Sequence, residues 1–95
     1  ADMHTRMQAA QYLVYAAAMK KQNHEPYSMD AAMAKLFAAE AASDVTRRCL
    51  QLFGGYGYTR EYPMERMMRD AKITELYGGT NEIQKIVISK WMGVR

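Results

Sequence analysis

From about residue 29 to about residue 53 the chain contains neither proline nor glycine. Within that run Ala34, Ala38, Ala41, Val45, Cys49 and Leu52 recur at steps of three and four. That spacing places them on one face of a long helix. Leu36 and Phe37 carry apolar character further round it. A helix apolar over much of its circumference must be covered on several sides, so it is expected at the centre of a bundle or against a second subunit. A stripe built from alanine also lets neighbouring helices approach closely. Gly54-Gly55 supplies the stop, glycine being a favoured residue just beyond a helix C-terminus.

The rest of the chain arranges itself around this element. Met3, Met7, Ala10, Val14 and Ala17 share one face of a first helix, about residues 3–22, closed by Lys20-Lys21 where cations favour a C-terminus. Glu25-Pro26-Tyr27-Ser28 is a linker with Ser28 the expected N-cap of the long helix. Gly54 to Arg60 form a glycine-rich turn, and Pro63 suits the first turn of a short helix over about 63–74. After Gly78-Gly79, Thr80 or Asn81 can cap a last helix whose Ile83, Ile86, Val87 and Trp91 follow helical spacing. The expected fold is all-α, an antiparallel helical bundle in one domain over residues 1–95. A chain of 95 residues buries about 60–65% of its unfolded surface, enough for a modest core and too little for a cofactor cleft walled on every side.

Charge and composition narrow the function. A net charge of +3, with cations scattered among acids, argues against nucleic acid as a partner. No run approaches the roughly 20 apolar residues of a membrane span. Cys49 alone cannot make an internal disulfide and suits a reducing compartment. His4 and His24 stand far apart with no carboxylate or thiol at ligand spacing, so no metal site is expected. Polar Asp2, His4 and Arg6 stand where a signal peptide needs an apolar core. The expectation is a soluble intracellular protein, cytoplasmic in a bacterium or in the mitochondrial matrix in a eukaryote. The N-terminus enters a helical pattern almost at once, which suggests a fragment of a longer protein.

Two glycine turns are the candidate sites. Gly54 to Gly57 is either a helix stop or a turn whose backbone N–H groups approach an anion; it follows a helix, so a dinucleotide-binding fold does not apply. Gly78-Gly79-Thr80-Asn81 leads into a helix N-terminus, where it either caps the helix or meets a ligand. Glu82 already complements the dipole there, and could accept from a ligand hydroxyl. Arg60-Glu61 and Glu65-Arg66 with Arg69-Asp70 are either a catalytic charge cluster or solvated pairs. Nine methionines suit a plastic packing surface, including one against another chain.

Three motifs go further. Gln51-Leu52-Phe53-Gly54-Gly55-Tyr56-Gly57-Tyr58, Glu61-Tyr62-Pro63-Met64-Glu65-Arg66-Met67-Met68-Arg69-Asp70-Ala71-Lys72-Ile73 and Tyr77-Gly78-Gly79-Thr80-Asn81-Glu82-Ile83-Gln84 resemble, in order and spacing, the acyl-CoA dehydrogenase family. The short-chain, butyryl-type bacterial members are the most similar. The resemblance implies the later part of a C-terminal four-helix domain in an FAD enzyme that oxidises acyl-CoA to 2,3-enoyl-CoA. It also implies electron-transferring flavoprotein as acceptor and a homo-oligomer, commonly a tetramer, centred on these helices. By resemblance Gln51, Gly54 and Gly55 contact FAD of a neighbouring subunit. Thr80 and Glu82 contact the flavin nucleotide of their own, and Tyr77 and Gly79 border the acyl thioester.

Gly78 departs from the pattern, because most relatives in this subfamily carry the catalytic Glu there. Three explanations stay open: a base on an earlier helix, as in isovaleryl- and long-chain-type relatives; an inactive paralogue; or an engineered change. The chain by itself is expected to be inactive, and a helical oligomerisation module without redox chemistry is the alternative.

Overall fold

The computed structural model of the chain describes residues 1–55, 59, 63–77 and 79–93. Among them are four helices: α1 (Asp2–Gln22), α2 (Ser28–Phe53), α3 (Met64–Ile73) and α4 (Asn81–Trp91). No strand occurs among the described residues.

The ends follow local chemistry, with two corrections. At the C-terminus of α1 the His24 N–H donates to the Lys21 carbonyl at 3.2 Å and the Glu25 N–H to Lys20 at 2.9 Å. These two bonds are the Schellman pattern. The position that favours glycine is here His24, at φ 58. Ser28 is not the cap of α2: the helix begins one residue earlier than that reading requires, with Tyr27 in the capping position and no side-chain cap bond. The entry is set by α1 instead. Lys20 Nζ pairs with Asp30 Oδ2 at 3.0 Å, and Lys21 Nζ lies 6.0 Å from the Tyr27 ring centroid. Pro63 stands just outside α3 at φ −75, where its fixed dihedral costs nothing.

α2 is the hub. α1, α3 and α4 each pack on it, and among the described residues not on one another. Met3 meets Cys49, Arg6 meets Asp44 and Lys20 meets Asp30, so α1 runs antiparallel to α2. Ser43 meets Ala71 and Lys35 meets Thr74, so α3 does the same. The buried apolar residues are Ala32, Ala34, Ala39 and Ala41 of α2 with Met64 and Ala71 of α3. Small side chains on α2 therefore make the seams. They fall on both sides of the helix, since Ala32 and Ala39 lie off the stripe read from the sequence.

One hub covers only a strip of each partner helix. Ile83, Ile86 and Trp91 of α4 share helical spacing, yet they remain 49%, 51% and 57% exposed. Asn81, Gln84, Val87, Ile88 and Ser89 are the more covered side of α4. On α1 the covered strip is Met3, Ala10, Leu13 and Ala17, while Met7, Tyr12, Val14, Tyr15 and Met19 face out. The Cα radius of gyration is 15.4 Å, against about 12 Å for a compact chain of this length. The helices form an elongated bundle centred on α2.

Candidate functional site

The turn between α3 and α4 brings together four of the expected site residues. α3 ends in three short-range bonds, Thr74 N–H to Ala71, Glu75 N–H to Lys72 and Leu76 N–H to Ile73, at 3.0–3.1 Å. Bonds of this i→i+3 kind tighten a helix end. Tyr77 follows, 61% exposed. Gly79 has φ +93, a conformation that L side chains rarely adopt. A Cβ built there would lie 2.8 Å from Gln84 Nε2. Thr80 caps α4, its Oγ1 accepting from the Ile83 N–H at 3.2 Å. Glu82 is exposed in the first turn, where the helix dipole is positive. Asn81 is only 5% exposed. Its N–H donates to the Glu75 carbonyl at 3.2 Å, while its Oδ1 has no partner among the described residues.

Lys35, on α2, holds this turn in place. Its Nζ donates to the Thr74 carbonyl at 2.8 Å and to the Gly79 carbonyl at 2.7 Å. The same side chain lines a recess of about 350 Å³ with Ala38, Ala42, Thr74 and Tyr77. Sequence reading passed over Lys35. One signal was available: it is the only lysine or arginine between Lys21 and Arg47, standing alone in the apolar run Ala34-Lys35-Leu36-Phe37. A lone cation there has to find acceptors.

Gln51, Gly54 and Gly55 form a separate group at the end of α2. The Gly54 N–H donates to the Gln51 carbonyl at 3.0 Å, and Gly54 takes φ +63. Among the described residues nothing lies within 4 Å of a Cβ built at Gly54 or Gly55. Lys35 and Gln51 are sixteen residues apart on α2, roughly 24 Å at the helical rise. One chain therefore does not bring the two groups together.

Of the expected charge cluster, the described residues show one ion pair, Glu65 with Arg69, and further pairs lie beside it. Arg69 meets Glu65 at 3.3 Å and Lys72 meets Glu75 at 3.3 Å, each one turn apart on the chain. Asp44 is the densest point, with Arg47 at 3.0 Å, Arg48 at 3.2 Å and Arg6 at 3.6 Å. The Arg47 hydrogen bond, seconded by Arg48 and Arg6, holds the Asp44 carboxyl below its ordinary range. The Glu75 carboxyl is also lowered, first by the Ser43 hydroxyl and then by Lys72 and Lys35. These pairs rim an apolar groove of about 640 Å³ between α2 and α3. Arg60 and Glu61 lie outside the described residues. So do Tyr56, Gly57, Tyr58, Tyr62 and Gly78.

Cys49 is partly buried, its Sγ 3.9 Å from Met3 Sδ. Among the described residues no three His, Cys, Asp or Glu side chains gather as a metal site. No described helix is long and apolar enough to cross a membrane.

Comparison with known proteins points one way. The family profile described as "Acyl-CoA dehydrogenase, C-terminal domain" matches residues 1–93. The short-chain specific acyl-CoA dehydrogenase of Clostridium acetobutylicum is 64% identical over 89 residues, 94% of this chain and 24% of that protein. The structure of butyryl-CoA dehydrogenase from Megasphaera elsdenii is similar with a TM-score of 0.94 at 52% identity, over 96% of this chain and 24% of that one. An FAD complex of PigA is similar with a TM-score of 0.95 at 30% identity, over 99% and 24%. The chain thus spans about a quarter of the length of the relatives it matches.

Proposed function

The chain belongs to the acyl-CoA dehydrogenase family, as its C-terminal domain, and from that premise we propose that it forms one wall of the flavin and acyl-CoA sites of an FAD-dependent dehydrogenase. The observation that carries this reading is the α3–α4 turn. Tyr77, Gly79, Thr80 and Glu82 are set side by side at the open N-terminus of α4, within the matched region.

The residues fit a flavin nucleotide. At Gly79 the positive φ and the nearby Gln84 amide keep the backbone bare, and the start of α4 presents the positive end of its dipole. Thr80 and Glu82 would hold the nucleotide there. Gly54 and Gly55, with no described residue where a Cβ would stand, would meet the adenosine-pyrophosphate half of a flavin in a second subunit. The separation of the two groups along α2 supports that assignment to two chains, as do the uncovered apolar faces of α1 and α4. The assembly is a homo-oligomer, a tetramer in the manner the family resemblance implies.

When bound, FAD supplies the acceptor for the hydride that leaves the β-carbon. This chain's contribution is to border the thioester with Tyr77 and Gly79. Gly78 has no side chain, so on this reading the carboxylate that removes the α-proton comes from an earlier helix, as the resemblance to isovaleryl- and long-chain-type relatives implies. Glu75 does not replace it. A general base works best with its pKa brought near the operating pH, whereas the Glu75 carboxyl is lowered by Ser43, Lys72 and Lys35. The substrate is a short-chain acyl-CoA, and the electrons pass to an electron-transferring flavoprotein.

The test is reduction of a dye by butyryl-CoA with the full-length, flavin-loaded protein. Turnover supports the reading. Flavin binding without turnover, with turnover gained in Gly78→Glu, supports the second reading that Gly78 opens: a catalytically silent member of the family. The 95-residue chain by itself is expected to retain no FAD, and a stoichiometric yellow complex from it would contradict this division of labour.

A further inference from the structure

We propose that Lys35 is a positioning residue for the flavin and acyl-CoA wall: its ammonium, on the hub helix, fixes the α3–α4 turn by donating to the Thr74 and Gly79 carbonyls. The proposal rests on the functional reading above. Thr74 ends α3 and Gly79 precedes the cap of α4, so one nitrogen ties both ends of the segment carrying Tyr77. The bonds are 2.8 and 2.7 Å long, within the range of charge-assisted contacts.

Three features make this more than a surface lysine. First, a lysine amine is a donor with no acceptor capacity, and both of its bonds here go to carbonyls of one turn. The Thr74 carbonyl stands at the C-terminus of α3, where the dipole favours a cation. Second, Lys35 reaches 39 and 44 residues along the chain, so the turn is held from a different element. Third, among the described residues the other α2 side chain that bonds within the Thr74–Thr80 segment is Ser43, and it does not reach the Gly79 end. Ser43 and Glu75 interact two turns further along α2, at the α3 end only. Removing the ammonium removes the hydrogen bond that joins Gly79 to α2 among the described residues, while the α1 contacts at Cys49, Asp44 and Asp30 do not involve Lys35.

The test compares Lys35→Met, which keeps the length and removes the donors, with Lys35→Arg, which keeps charge and donors, in the flavin-loaded protein. Amide hydrogen exchange and the FAD dissociation constant are read together. Lys35→Met is expected to speed exchange at Tyr77–Asn81 by about tenfold or more, to leave α1 unchanged, and to weaken FAD by a similar factor; Lys35→Arg is expected to recover most of both. Unchanged exchange at the turn would overturn the proposal. So would faster exchange with unaltered FAD affinity, since the clamp would then position nothing. Loss of folding, or faster exchange throughout α1 and α2, would also overturn it, because the effect would be general stability. A wild-type protein that binds no FAD would sink the functional reading instead, and the exchange arm alone would then report on the clamp.

Discussion

Replacing Gly79 with alanine is expected to destabilise the protein by about 1 kcal/mol. A left-handed backbone costs an L-residue about 1–2 kcal/mol. Replacing glycine returns about 0.4–1 kcal/mol by restricting the unfolded chain. At φ +93 the first effect outweighs the second. The new Cβ would also meet Gln84 Nε2 at 2.8 Å, but that atom ends a flexible side chain and can swing away at little cost. Gly54 and Gly55 turn the argument into a series. Gly54 has φ +63, Gly55 has no positive φ, and among the described residues neither has a neighbour within 4 Å of its built Cβ. Gly54→Ala should cost at least as much as Gly79→Ala, since its ψ of −143 at positive φ lies in a region essentially reserved for glycine, and Gly55→Ala should be neutral or slightly stabilising. The assay is urea denaturation. With a slope of about 1–3 kcal/mol per molar, the Gly79→Ala midpoint should fall by roughly 0.3–1 M. A midpoint at or above wild type would refute the reasoning, because no contact made by the new methyl group can offset the dihedral.

His24 offers the opposite change: at φ 58 in the Schellman turn, His24→Gly should raise stability by about 0.5–1 kcal/mol in the same assay, and a lower midpoint would contradict the strain. Thr80→Ala removes the acceptor for the Ile83 N–H and should cost about 1 kcal/mol, while Thr80→Ser should cost little; equal losses would show that the cap bond is not the cause. Ala41, 3% exposed in the α2 seam, should not accept leucine: overpacking is expected to cost about 1–3 kcal/mol, and an unchanged thermal midpoint would mean that the seam is loose. Acid should unfold the protein in a defined window, because Asp44 and Glu75 are both lowered in the folded state by their cationic and hydroxyl neighbours. The unfolded chain then binds protons at higher pH than the folded one, so this stability is whole above about pH 5 and is lost as pH falls through the lowered values. Melting temperatures from pH 7 to about 2.5 should show that decline, with a shallower slope in Asp44→Asn; an identical slope would remove Asp44 from the account.

Much of the fold was legible because its signals are short-range. A helix written by apolar residues three and four apart, stopped by Gly54 and capped by Thr80, depends on neighbours within one turn. The ends of α1, α2 and α3 accordingly fell within a residue or two of where the sequence put them. The site was legible in part for another reason: three motifs in order and spacing identify a family, and Tyr77, Gly79, Thr80 and Glu82 do converge on one turn. Ser28 and the α4 stripe mark the limit. Ser28 has the chemistry of a cap, but the Lys20–Asp30 pair and the Lys21–Tyr27 contact set where α2 begins. Ile83, Ile86 and Trp91 have the spacing of a core face, but their rotation relative to α2 depends on where the turn before them is tied.

The sequence by itself determined the helices, the two glycine turns and the family, since each is fixed by covalent neighbours or by motif order. Tertiary structure decided what the hub helix does. Periodicity says that α2 must be covered. It does not say that Ala32 and Ala39 seat neighbours on a second side, or that position 35 faces a turn 39 and 44 residues away. A lysine carries no mark of its partner in its own surroundings, because its charge is satisfied by whichever carbonyls the packing of α3 and α4 brings within reach. Only when both helices lie on α2 do the Thr74 and Gly79 carbonyls meet at one nitrogen.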